Sequence, residues 1–147
     1  MFYLVAILVF LADQFFKLLT RAKLIPGQSV PAIDGILHFT YVQNTGAAFG
    51  FLRDQRPLLV LVGVTISIII IHFYLRAKKD HVLLKISLAA ILGGSLGNLF
   101  DRILLGYVVD YIDFRIFPVF NLSDVAINLG VLFIFLDIFF KGSECTR

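Results

Sequence analysis

Long apolar runs alternate with short polar breaks along this chain, and the runs have the length that a bilayer imposes. A helix rising about 1.5 Å per residue needs about 20 residues to cross a hydrocarbon layer about 30 Å thick. Stretches near that length run Phe2–Leu19, Pro57–Leu75, Val82–Leu105 and Val119–Phe140, so four membrane-spanning helices are expected. The second opens with Pro57, suited to a first helical turn, and stops at Arg76-Ala77-Lys78-Lys79-Asp80. The third carries Gly93, Gly94 and Gly97, small residues that let another helix, or a substrate helix, come close.

The break between the first two runs, Thr20–Arg56, is too polar to cross, and Pro26-Gly27, Pro31 and Asp34-Gly35 punctuate it as turns. Within it Ile36–Val42 is rich in β-branched and aromatic residues and reads as strand, as does Gly106–Phe117 in the third loop. The expected fold is therefore all-α and membrane-embedded with a small β element: a four-transmembrane-helix bundle plus a small extracytoplasmic sheet from loops 1 and 3. At 147 residues the whole chain, 1–147, is expected to be a single integral-membrane domain.

Composition supports the bilayer: 59% of residues are hydrophobic and 16 are Phe, more apolar surface than a soluble core of this size can hide. The formal charge of +3 is small and its basic residues are scattered, so no nucleic-acid partner is expected. Cys145 is the one cysteine, and His38, His72 and His81 lie in different contexts, so neither a disulfide within the chain nor a metal site is expected. Met1–Ala12 lacks a basic lead and a small-residue cleavage site, and reads as a retained helix rather than a signal peptide. An even number of spans puts six basic residues on the side of the termini and seven on the other. The dense Arg76, Lys78, Lys79 cluster favours a cytoplasmic second loop. The tail Gly142–Arg147 reads as a disordered end.

Against this background each polar residue in a span needs a reason, because a charge near a bilayer is costly to keep. Asp13 and Lys17, four apart, share a helix face either as an interfacial ion pair or with Asp13 bracing a site. Asn44-Thr45-Gly46-Ala47-Ala48-Phe49-Gly50 is either a turn or a site element in which Asn44 donates and accepts beside small residues. Asn98 and Arg102 are one helical turn apart, and Arg102 needs a carboxylate or carbonyl partner, Asp101 among them. Asn121 and Asp124 open the fourth run, where Asp124 could simply be a helix N-cap. Asp110 could be a strand-end surface residue, with Asp113 its nearest competitor. Asp137 and Lys141 read as a snorkelling pair at the far interface. If Asp110 and Asp124 converge, they make a shared-proton pair able to activate water.

With these motifs in order, the chain resembles the lipoprotein signal peptidases (signal peptidase II), intramembrane aspartyl proteases of bacteria. The resemblance is carried by Asp13-Gln14 with Lys17, by Asn44–Phe49, by Gly97-Asn98-Leu99-Phe100-Asp101-Arg102, by Gly106–Tyr111 and by Phe120–Asp124. The family usually has Ala where this chain has Ser123. The resemblance implies that Asp110 and Asp124 are the catalytic dyad and that Asp13, Asn44, Gly46, Asn98, Arg102 and Asn121 support it or bind substrate. It implies diacylglyceryl-modified prolipoprotein substrates cut before the modified cysteine, no cofactor, and a monomer amid membrane lipid. The site is then expected near the outer face of the bacterial inner membrane, with both termini cytoplasmic. The substrate's signal helix is expected against the glycine-bearing third span. A proton channel or an assembly scaffold are the competing readings, and the clustering of the acids near one membrane face argues against the channel.

Overall fold

Backbone polar groups inside lipid must be satisfied within their own segment, so an apolar run that crosses a bilayer folds as a helix. The computed structural model describes residues 1–47, 51–78 and 81–144. Ala48, Phe49 and Gly50 of the Asn44 motif, Lys79, Asp80, the tail from Cys145 and the side chain of Lys141 expected to pair with Asp137 lie outside the described residues. In chain order the elements are α1 (Phe2–Lys23), β1 (Ser29–Ile33), β2 (Leu37–Asn44), α2 (Arg56–Arg76), α3 (Val82–Leu104), β3 (Val108–Asp113) and α4 (Leu122–Glu144). Each of the four helices is long and apolar enough to cross a membrane.

Boundaries moved where polarity and backbone geometry disagree. Helix α1 continues a turn beyond the expected end at Leu19. Thr20 stays helical, its Oγ1 donating to Phe16 O at 2.9 Å, and Arg21 and Lys23 sit at the helix C-terminus, where the dipole favours positive charge. The polar turn thus does not end the helix. Helix α4 starts at Leu122 rather than Val119, because Phe120 is extended and exchanges backbone bonds of 2.8 and 3.1 Å with Ile112. At its other end α4 runs through Glu144, into the segment expected to be disordered, since extending a formed helix is cheap.

Loops 1 and 3 build one antiparallel sheet, in the order β1-β2-β3. Strand β2 lies in the middle and pairs with β3 through Val42↔Asp110 and Asn44↔Val108, which sets the Asn44 end of one loop beside Asp110 of the other. Strand β1 was not expected, because Pro31 reads as a turn residue. All five of its residues are exposed and it forms the sheet edge, where a missing N–H breaks no ladder.

Helix α3 is the core of the bundle, with α1 and α4 pressed against its glycines. A Cβ on Gly93 would lie 2.5 Å from Ala6 O, and one on Gly94 2.5 Å from Ser123 O. A Cβ on Gly97 would collide with Ser123 Oγ and Asp13 Oδ2. These positions are therefore filled by α1 and α4 of the same chain, and the expected seat for a substrate helix there is corrected. At the opposite end from the sheet, Phe2 stacks on Tyr74 with ring centroids 3.6 Å apart, tying the start of α1 to the end of α2.

Candidate active site

A carboxylate held by amide donors keeps a fixed direction, and both Asp110 and Asp124 are held that way. Asn44 Nδ2 donates to Asp110 Oδ2 at 2.9 Å, and Asn121 Nδ2 donates to Asp110 Oδ1 at 2.6 Å. Asn98 Nδ2 donates to Asp124 Oδ1 at 2.9 Å, and the backbone N–H of Asn121 donates to Asp124 Oδ2 at 3.1 Å. One residue, Asn121, thus grips both acids. Its own Oδ1 accepts from the N–H of Asp124 at 3.0 Å. Asn121 and Asp124 satisfy one another reciprocally, in the manner of a capping box at the start of α4. The helix N-cap is therefore Asn121, and Asp124 is free to turn an oxygen towards Asn98.

What orients the amides lies beneath them. Lys17 Nζ is buried among Asp13 Oδ2 at 2.8 Å, Asp101 Oδ2 at 3.0 Å and Asn98 Oδ1 at 2.9 Å. An ammonium only donates, so the Asn98 oxygen must face Lys17 and its NH₂ must face Asp124. Asp13 also accepts from the N–H of Ser123 at 2.9 Å, and Asp101 from the N–H of Val109 at 3.1 Å. The ion cluster therefore anchors the residue before each acid of the pair. Gln14 closes it, donating to Asp101 Oδ1 at 3.1 Å and to Gly97 O at 3.2 Å. A buried charge cluster persists only if its members are paired and hydrogen-bonded, as these are.

A second chain of bonds fixes Asn44. The Gly46 N–H donates to Asn44 Oδ1 at 2.9 Å, which turns the Asn44 NH₂ towards Asp110. Arg102 Nη2 donates to Gly46 O at 3.0 Å. Arg102 is in turn steadied by Arg56, whose guanidinium bonds the last α3 carbonyls, Arg102 O at 2.8 Å and Ile103 O at 2.7 Å. Of the two partner types open to it, Arg102 thus takes a carbonyl, while Lys17 occupies Asp101.

Both acids line one cleft of about 1170 Å³, together with Asn44, Gly46, Asn98, Arg102 and the run Phe117-Pro118-Val119-Phe120. Burial pushes the Asp110 carboxyl up to about 7, and the negative charge of Asp124 adds to the rise, while hydrogen bonds from Asn44 and Asn121 oppose it. Asp113, an odd number of residues further along β3, faces away from this pair and accepts from Thr40 Oγ1 at 2.6 Å. A carboxyl poised near neutrality beside a second carboxylate, in an open cleft at the end of a helix bundle, is equipped for acid–base chemistry on water.

The family model for signal peptidase (SPase) II matches residues 5–140. The chain belongs to the signal peptidase II family. The lipoprotein signal peptidase of Moorella thermoacetica is 46% identical over 146 residues, covering 99% of this chain and 97% of that one. The lipoprotein signal peptidase of Halothermothrix orenii is 47% identical, covering 92% of this chain and 93% of that one. A bacterial membrane enzyme solved by the in meso method at 2.3 Å superposes with a TM-score of 0.89 at 30% identity, over 96% of this chain and 88% of the other. This signal peptidase is a multi-pass membrane protease; the four spans and a small sheet from loops 1 and 3 are as the sequence leads one to expect, while β1 and the span ends are not.

The family motifs left some partners of this signal peptidase unnamed. Gln14 and Asp101 belong to the Lys17 cluster rather than to separate features. Tyr111 Oη accepts from the N–H of Leu122 at 3.3 Å, a second tie between β3 and the start of α4. A lysine four residues after an aspartate inside an apolar run was the signal for the cluster, because a lysine buried there must gather several oxygens.

Proposed function

We propose that this signal peptidase removes the signal peptide of diacylglyceryl-modified prolipoproteins, cutting before the modified cysteine, with Asp110 and Asp124 as its catalytic pair. The observation that carries the proposal is the single residue, Asn121, bonded to both carboxylates in one open cleft. Asp110 holds the shared proton, in keeping with a carboxyl raised to about 7. Asp124, in the first turn of α4, is the base. Asp124 takes a proton from water, the hydroxide oxygen bonds to the scissile carbonyl carbon, and Asp110 gives its proton to the carbonyl oxygen. In the resulting gem-diol, Asp124 returns its proton to the amide nitrogen as the C–N bond breaks, and one hydroxyl proton goes back to Asp110. The products are a carboxylic acid and an amine, and the pair ends with one proton, as it began.

Asp13, Asn98 and Asn121 hold the pair from below, while Asn44, Gly46 and Arg102 hold it from the sheet side. The chain acts as a single monomeric domain over 1–147 in the inner membrane. Its termini and the Arg76–Lys78 connection are cytoplasmic, and the sheet and cleft lie at the outer face, where substrate acyl chains stay in lipid. The test is cleavage of a lipid-modified prolipoprotein by purified Asp110→Asn and Asp124→Asn proteins. Each is expected to be inserted and folded but inactive, and normal cleavage by either variant would sink the assignment.

A further inference from the structure

Away from the acid pair, one side chain ties all three strands of the sheet together. Arg115 Nη2 donates to Ser29 Oγ of β1 at 3.1 Å and to His38 Nδ1 of β2 at 2.8 Å. Its backbone N–H donates to Asp113 Oδ1 of β3 at 2.8 Å, and its Nη1 lies 3.4 Å from Asp113 Oδ2. Thr40 completes the cluster, bonding Ser29 Oγ at 2.8 Å and donating to Asp113 Oδ2 at 2.6 Å. The Thr40 hydroxyl holds the Asp113 carboxyl below its usual range, which keeps it an anion for Arg115.

Arg115 makes these bonds from a backbone φ of 66°, which disfavours any residue with a side chain. Glycine would suit that backbone better, so what the position gains from arginine is the guanidinium. The residues it anchors face the chemistry. Two residues beyond it begins the run Phe117, Pro118, Val119 and Phe120, which lines the same cleft as Asp110, Asp124, Asn98 and Arg102. The far end of this wall is held where Phe120 pairs with Ile112, and Phe114 stacks on Phe120 with ring centroids 6.0 Å apart. The near end is held by Arg115.

The bond to His38 fixes which ring nitrogen accepts: a guanidinium only donates, so His38 Nδ1 carries a lone pair directed at Arg115.

We propose that Arg115 is a positioning residue that fastens the Phe117–Phe120 wall of the cleft to the sheet through Ser29, His38 and Asp113, so that substrate binding depends on its guanidinium. This rests on the reading of the cleft as the peptidase site. The experiment is steady-state cleavage of a fluorogenic diacylglyceryl peptide by the full-length protein in detergent. Backbone hydrogen exchange of the same samples is followed at fixed pH.

Arg115→Ala is expected to raise KM about fivefold, the factor carried by one net hydrogen bond. Its kcat stays within about twofold, and exchange accelerates in residues 114–119. His38→Asn, which keeps an acceptor at the Nδ1 position, is expected to hold KM near the wild-type value, and His38→Leu, which removes the acceptor, to raise it. An Arg115→Ala protein with wild-type KM, or one losing only thermal stability, overturns the positioning role. A His38→Leu protein with wild-type KM overturns the part of the histidine in the clamp. Full activity in Asp110→Asn would instead refute the peptidase reading, and the exchange measurement would still judge the clamp on its own.

Discussion

Asn121 offers the most discriminating perturbation, because its side chain does two separable jobs. Its amide nitrogen bridges Asp110 at 2.6 Å and Asn98 at 3.1 Å, while its amide oxygen caps α4 through the N–H of Asp124 at 3.0 Å. Asn121→Ala removes both. Losing an N-cap costs about 0.5–2 kcal/mol of stability. Losing the amide donor to Asp110, with the alignment it gives the pair, is worth about 2–4 kcal/mol on the barrier, or roughly 30- to 1000-fold in kcat. Asn121→Ser keeps an oxygen suited to the N-cap but has no amide to reach Asp110. It is expected to regain most of the lost thermal stability and none of the lost kcat. Because the Asn121 bond favours the charged form of Asp110, both variants should also move the alkaline limb of the rate profile above its wild-type position. The assay is turnover of a lipidated fluorogenic peptide across pH, alongside a thermal melt of each protein. A Ser variant with wild-type kcat, or an Ala variant whose stability and kcat recover together in Ser, would refute the bridging role and leave only a cap.

Other outcomes follow from the same network. With Asp110 as the proton donor, kcat/KM should fall as pH rises through about 7, and a flat profile from pH 6 to 9 would contradict the proton assignment. The same raised carboxyl sets the sign for stability: its contribution is fully present below the unfolded value, near pH 4, and is lost as pH rises through about 7. Melts should therefore show a more stable protein at pH 5 than at pH 8. Lys17→Met leaves Asp13 and Asp101 without their shared cation and should destabilise the fold by about 3–5 kcal/mol, read as a lowered melting temperature in detergent. Gly97→Ala drives a methyl into Ser123 Oγ and Asp13 Oδ2 and should cost about 1–3 kcal/mol. Adding Ser123→Ala should restore part of that loss, and strictly additive melting shifts would show that the hydroxyl and the glycine do not touch.

The parts of this structure that could be read from sequence are those where lipid leaves one solution. An apolar run in a bilayer must be helical, so four spans are visible in hydropathy alone. A polar residue inside such a run must find partners, so Asp13, Lys17, Asn98, Asp101 and Asp124 stood out before any contact was known. Sequence spacing could not say which partner each would find. Arg102 was open to Asp101, but Lys17 had already claimed that carboxylate from α1, 84 positions away in the chain. Asp124 had the look of an N-cap because local rules place an acid there, yet Asn121 does that work.

Strand β1 was hidden for a similar reason: Pro31 carries a turn signal, and only the presence of β2 as a neighbour makes an edge strand of it. The same distinction governs the acid pair. Each carboxylate is oriented by an amide whose own direction is set elsewhere, Asn98 by an ammonium on α1 and Asn44 by the N–H of Gly46. An asparagine alone can present either end to an acid. It becomes a dedicated donor only when its oxygen is already engaged, and that requires the fold.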